Sequence, residues 1–120
     1  MKETRSTNPE LIQLIRFLRK QSREKNAAIW QDVAGYLAKA RRQRVAVNLS
    51  RINRYTQKSD VVVVPGKILG TGTLDHSITI AAFSVTERAK EKIAAAKAKY
   101  LSIPELVETN PQGSNIKIIR

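Results

Sequence analysis

The chain has 120 residues, 22 of them Lys or Arg against 10 Asp or Glu, for a formal net charge of +12. It carries no cysteine and one histidine, which excludes disulfides, thiolate metal centres and histidine-built metal sites. No run approaches the ~20 apolar residues of a membrane-spanning helix, and the charged opening MKETRSTNPE lacks the apolar core of a secretory signal. A soluble, intracellular chain is the expectation. Its length suits one domain that buries roughly two-thirds of its unfolded surface. Charge of this size costs stability by self-repulsion unless a polyanion neutralises it, which puts nucleic acid first among partners and an anionic membrane surface second.

Residues 1–7 are polar and basic, and are expected to form a flexible tail. Asn8-Pro9-Glu10 is a helix start: an N-cap side chain, proline at the first helical position, then an acid facing the dipole. Leu11, Leu14, Ile15 and Leu18 follow at i, i+3, i+4, i+7, one apolar stripe. Arg16, Arg19, Lys20 and Arg23 repeat that spacing on another face, a cationic row with no acid inside it. A second helix is expected over Ala27–Ala40, with Trp30, Val33, Ala34 and Leu37 buried and Trp30 as a core anchor. The short link makes the two helices neighbours in a hairpin. Lys39, Arg41, Arg42 and Arg44 cluster at the helix end. Four cations within six positions exceed what a helix dipole needs, and arginine forks match phosphate geometry.

Val45–Leu49 alternates and reads as a strand; Ser50–Gln57 reads as one or two helical turns, with Ile52 and Tyr55 inward and Arg51, Arg54 and Lys58 outward. The stretch Val61–Phe83 organises the rest. Val61–Val64 are four β-branched residues in a row, as in a strand covered on both faces. Pro65-Gly66 is expected to stop that strand, with Lys67 just past the turn in a glycine-bearing loop, and Ile78–Phe83 is expected to be a second buried strand. Ser84-Val85-Thr86-Glu87 reads as a capping box opening a helix through Ala98. Arg88, Lys90, Lys92 and Lys97 are expected to face out from it. Ser102-Ile103-Pro104-Glu105 is another capping box, for a short helix to Glu108. Asn110–Gly113 is a turn, and Ile116–Ile119 a closing strand.

Catalytic patterns are weak. Lys67 behind Pro65-Gly66 is no Walker A, because the leading glycine and the Ser/Thr are missing; Lys67 and nearby backbone amides on an RNA phosphate are the better reading. Asp75-His76 with Ser77 or Ser84 does not make a triad, since adjacent side chains are expected to point apart. Glu105 and Glu108 have no partner cluster. No enzyme, cofactor, metal site or small-molecule substrate is expected. Six aromatic residues in all argue against stacking platforms for single strands.

Val62-Val63-Val64-Pro65-Gly66-Lys67-Ile68-Leu69-Gly70, followed by Gly72 and Leu74, resembles the signature core of the archaeal and eukaryotic large-subunit ribosomal protein eighteen-e family. Thr7-Asn8-Pro9, Trp30, Arg42, Val47-Asn48-Leu49, Arg51-Ile52, Ala89 with Lys92-Ile93, and Gly113-Ser114 ending in Arg120 match as well. The resemblance spans nearly the whole chain, and the compact length is like that of archaeal members. Ala40 departs from it, standing where the family has proline before the paired arginines. The resemblance implies a structural constituent of the large ribosomal subunit, cytoplasmic, with large-subunit rRNA and neighbouring large-subunit proteins as partners.

It also implies an α/β fold shared with bacterial large-subunit protein fifteen: an N-terminal helical hairpin, then an irregular superhelix of short strands and helices. The expected division is a tail over 1–7 and one domain over 8–120, helical over 8–44 and α/β over 45–120. Expected rRNA contacts are Arg16, Arg19, Lys20, Arg23, Lys39, Arg41, Arg42, Arg44, Arg51, Arg54, Lys67 and Arg120. A free-standing RNA-binding or RNP-assembly protein is the alternative, with a DNA-architectural protein behind it.

Overall fold

A computed structural model describes residues 8–39 and 45–120. Helix α1 (Pro9–Lys25) begins where expected: the Asn8 side chain accepts from the Glu10 amide at 3.0 Å, with Pro9 at the first position. It ends at Asn26 in the left-handed region (φ 51°), a conformation asparagine tolerates. Helix α2 (Ala28–Leu37) packs against α1 and is shorter than expected at its C-terminal end, stopping at the Ala38 cap. Trp30 is fully buried, and its indole N–H donates to the Pro111 carbonyl at 2.8 Å, tying α2 to the far end of the chain.

Strand β1 (Val45–Asn48) and helix α3 (Leu49–Tyr55) lead to β2 (Val61–Leu69), the axis of a five-stranded, wholly parallel sheet. Then come β3 (Thr79–Val85), α4 (Glu87–Ala95), β4 (Lys99–Ser102), α5 (Ile103–Thr109) and β5 (Ile116–Ile118). The order is β1-β2-β3-β4, with β5 also beside β2. β3 fills one edge of β2. The other edge is shared: β5 pairs with Val61–Val63, and β1 with Gly66–Leu69.

Pro65-Gly66 therefore does not stop the strand, which corrects the sequence expectation. The register against β3 jumps between Val64 and Lys67, a β-bulge, and Pro65 falls where no neighbouring strand has a partner for it. Its missing N–H leaves no ladder bond broken there. At Gly66 any side chain would collide with the Val45 backbone, so glycine is what lets β1 approach. Lys67 is consequently a strand residue, exposed, in register with Ala46 and Ser84. The longer β2 also carries β3 on to Val85. The next helix is capped by Thr86, whose hydroxyl accepts from the Ala89 amide at 3.2 Å; the cap lies two residues beyond the expected Ser84 and, with alanine at the third helical position, no capping box forms.

Side chains alternate across the sheet. Val63, Ala81 and Leu101 meet α1, α2 and α5 on one face. Val62, Val64, Ile68, Ile80 and Ala82 meet Leu49 and Ile52 of α3, Ala89 and Ile93 of α4, and Leu74 and Ile78 on the other. Coverage on both faces is what a parallel sheet of continuous apolar strands requires. α4 closes at Ala95, before the expected Ala98. The Ala98 amide bonds the Ile93 carbonyl and the Lys97 amide that of Ala94, with Lys97 at φ 58°. This is a Schellman turn, carried by lysine where glycine would be usual. The Ser102–Glu105 capping box is present as expected, with bonds of 3.3 and 2.9 Å in the two directions.

β2 reaches β3 without a helix. Residues 70–78 make the connection, and Lys92 of α4 holds it: its ammonium donates to the Gly70 carbonyl at 2.7 Å and to the Gly72 carbonyl at 2.6 Å. Gly72 sits at φ 89° with the Ser50 backbone against it, so the loop is fixed from both sides. Lys92 was expected to face solvent; it is partly buried, because two converging carbonyls satisfy its charge better than one surface position would.

Two stability predictions follow from this arrangement. Val63→Asp places an unpaired carboxylate at a fully buried position in the central strand; it should cost several kcal/mol, on the order of the whole stability. A cooperative, native-like melt of that variant would show that β2 is not central. Lys92→Met leaves two inward carbonyls without their donor and should cost about 2–3 kcal/mol, a fall in Tm of roughly 6–15 °C by calorimetry. An unchanged Tm would mean the loop holds itself.

Candidate nucleic-acid interface

Apart from Lys67, the described cations expected to contact RNA fall into two separate groups. On α1 the expected row is only partly kept. Arg16 and Arg23 are exposed, whereas Arg19 is partly buried, with its Nε enclosed and without a hydrogen-bond partner among the described residues. Lys20 lies 3.9 Å from Glu24, so an acid does reach the row one turn on, at a position the spacing of cations alone did not weigh.

The second group is built by α3 and the end of the chain. α3 has seven residues, and its buried stripe is Leu49, Ile52 and then Thr56 just beyond it. The Thr56 hydroxyl donates to the Ile52 carbonyl at 2.7 Å and lies 2.7 Å from His76 Nε2. With Thr56 turned inward, Tyr55 points out and is 53% exposed, which corrects the expectation that it packs inside. Arg51 and Arg54 lie over the Tyr55 ring, at 5.2 and 6.0 Å from its centroid.

Arg51 Nε also donates to the Arg120 backbone carbonyl at 3.1 Å. The Arg120 guanidinium lies 5.0 Å over Tyr36 of α2, and the Lys39 ammonium lies 5.0 Å over the same ring. Four expected contact residues from three parts of the sequence (Lys39, Arg51, Arg54 and Arg120) thus gather around two tyrosines. Between α3 and β5 the surface is concave, a cavity of about 660 Å³ lined by Arg51, Tyr55, Lys117, Ile118, Ile119 and Arg120.

Lys117 was not among the expected contacts. Its ammonium reaches Asp60 at 2.9 Å and the Tyr55 carbonyl at 3.4 Å. That hydrogen bond, with a second from the Gln57 amide, holds the Asp60 carboxyl below its ordinary range. Lys117 therefore spends its charge within the protein. No acid of the described residues pairs with Arg51, Arg54 or Arg120.

Lys67 stands apart from both groups, exposed in β2. Arg41, Arg42 and Arg44 lie outside the described residues, as do residues 1–7 and the Ala40 departure. Asp75 and His76 do meet, at 2.8 Å between Oδ1 and Nδ1, contrary to the expectation that they point apart; they sit in the loop, not in a strand. That bond lowers the Asp75 carboxyl. The other ring nitrogen faces Thr56, so the set braces the loop against α3 and aims at no open site. No group of described residues could hold a metal ion, and no described helix is long and apolar enough to cross a membrane.

What the interface lacked in the sequence was its aromatic half. The signal for Tyr55 was the adjacent Thr56: a short polar side chain at i+4 from Ile52 competes for the inward position, and α3 is too short for periodicity to decide between them.

The profile of the family described as "Ribosomal protein 60S L18 and 50S L18e" matches residues 1–120. The chain is 50% identical over 113 residues to the large ribosomal subunit protein eL18 of Methanothermobacter thermautotrophicus, covering 94% of this chain and 93% of that one. Against the protein of the same name from Methanococcus maripaludis it is 47% identical over 119 residues, 99% of both chains. The counterpart from Methanoregula boonei is 47% identical over 114 residues, 95% of this chain and 94% of the other. With a match along its full length and relatives at this identity, the chain belongs to the ribosomal protein 60S L18 and 50S L18e family.

Proposed function

We propose that the chain is a structural constituent of the large ribosomal subunit that binds and organises large-subunit rRNA through Arg and Lys contacts to phosphate. The observation that carries the rRNA contact is the gathering of Lys39, Arg51, Arg54 and Arg120 on one surface, with no described acid pairing with its arginines, in a chain of net charge +12. The mechanism is passive. The sheet and its two helix layers fix the cations in register, and guanidinium groups neutralise phosphates where RNA segments converge.

Arg16, Arg23 and Lys20 on α1, Lys67 on β2, and Arg41, Arg42 and Arg44 beyond α2 add further contacts in this reading. Arg19 contributes through the part of its guanidinium not enclosed. Neighbouring large-subunit proteins complete the surroundings, in the cytoplasm. The family is one of ribosomal proteins, and the reading requires no catalysis.

The purified chain should bind structured RNA with steep salt dependence. If ~6–10 phosphates are neutralised, affinity falls about 10³- to 10⁵-fold between 50 and 200 mM salt. A flat response in a filter-binding titration would overturn the electrostatic reading. Cosedimentation with large subunits through a moderate-salt wash separates a constituent from a transient RNA-binding protein.

The cations are not equivalent in this reading. Arg41→Ala with Arg42→Ala should weaken rRNA binding and flatten the salt slope more than Arg88→Ala with Lys90→Ala, although both pairs remove two charges. Arg88 and Lys90 lie on α4 beside Glu87 and Glu91, whose charge partly cancels theirs. Equal losses in the two variants would mean that the RNA meets a diffuse cationic surface, not a site.

A further inference from the structure

We propose that the concave face between α3 and β5 holds one unpaired RNA nucleotide, its base stacked on Tyr55 and its phosphate on Arg51 and Arg120. This rests on the RNA-binding reading above and gives it a specific subsite.

Three observations carry it. Tyr55 is the one large hydrophobic side chain exposed among the described residues, at 53%. A ring left more than half in water, where the other described large apolar groups are buried or half-buried, is available to a flat partner. Second, the ring adjoins a cavity of about 660 Å³, within the roughly 300–1,000 Å³ typical of pockets for compact ligands. Its inner wall is apolar where Ile119 is buried, and its rim is cationic. Third, the rim is preset. Arg51 is fixed by its Nε bond to the Arg120 carbonyl, which leaves its terminal nitrogens to donate elsewhere. The guanidinium 5.2 Å over Tyr55 already forms a cation–ring stack that a base can extend.

The chemistry selects an unpaired base. A base inside a helix has both faces occupied by its neighbours, whereas an extruded one exposes a face to an aromatic ring. An acidic peptide would satisfy the arginines but not the ring, whose face is electronegative and repels carboxylates. Lys117 is engaged by Asp60, so the phosphate falls to the two arginines. The expectation from aromatic content that the chain has no stacking platform is thus replaced by a single one, made by one ring and its arginine.

The test compares the full chain on two RNAs in the same buffer: an uninterrupted duplex, and that duplex carrying one bulged adenosine. Fluorescence anisotropy reads both affinities. The wild-type chain should prefer the bulged RNA about tenfold or more, the scale of one base stacked on an aromatic side chain. Tyr55→Ala should bring the ratio of the two affinities near one, and Tyr55→Phe, which keeps the ring, should retain it. Arg51→Ala should reduce the ratio as well. Thermal melts of each variant confirm that the fold persists, as an exposed ring allows.

If the duplex is bound with strong salt dependence but the bulge adds nothing, or if Tyr55→Ala keeps the preference, this subsite is overturned while the RNA-binding reading stands. If neither RNA is bound, both fall together. If Tyr55→Ala weakens a polyglutamate peptide as much as the bulged RNA, the face is a protein-docking surface and the nucleotide assignment is overturned.

Discussion

A proline in the most crowded strand of the sheet is the constraint around which the fold is arranged. A central parallel strand must give and receive hydrogen bonds on both edges, and Pro65 can give none. The chain resolves this by dividing one edge of β2 between two short strands, so that Pro65 falls in the gap between them while a bulge absorbs it on the other edge. From this follow the positions of β1 and β5 and the glycine that lets β1 come close; Lys67, just past the bulge, is the one exposed residue of the strand. Because β1 and β5 end up on the same side of β2, the helix after β1 and the residues after β5 lie next to each other. The cationic surface around Tyr55 and Tyr36 is a product of that adjacency.

The two layers of helix divide the labour. α1, α2 and α5 spend their apolar stripes on one face of the sheet; α3, α4 and the 70–78 connection spend theirs on the other. With both faces closed, most described cations face outward, and two of the lysines are tied into the fold: Lys92, partly buried, and Lys117, exposed but ion-paired. Lys92 neutralises the carbonyls of the β2–β3 connection, and Lys117 joins Asp60 to the end of α3. Neither role is visible in a charge count. An ammonium on a long stem reaches across several residues of loop, so its partner is set by the tertiary fold and not by its neighbours in sequence.

What was legible in the sequence was local. The Asn8-Pro9-Glu10 start, the Ser102–Glu105 capping box and the buried stripes of α1 and α2 involve residues no more than two helical turns apart, and the structure has them all. The full α/β class and the hairpin that opens it were also legible. The errors arose where a local signal met a distant partner. Pro65-Gly66 reads as a stop because proline usually is one, and only the register of three other strands shows why the strand runs on. α4 ends early, at Ala95, in a turn whose left-handed position is Lys97 without the glycine that would have marked it. Tyr55 and Thr56 compete for one inward position, and His76, twenty residues away, decides for threonine. Of the candidate site, the arginines of α3 and Arg120 were legible as charges; that they converge on rings was not.

The shared edge of β2 has a consequence for how the chain comes into being. β5 follows every other described element in sequence, yet it is the strand that completes one edge of the central strand β2. During synthesis the N-terminal half of β2 must therefore stand with one side open while more than forty further residues are added. An unpaired, valine-rich edge is a template for joining another chain. A polypeptide with a net charge of +12 repels its own copies throughout that wait. The excess of cations thus acts before folding is complete, by opposing the edge-to-edge pairing of unfinished copies.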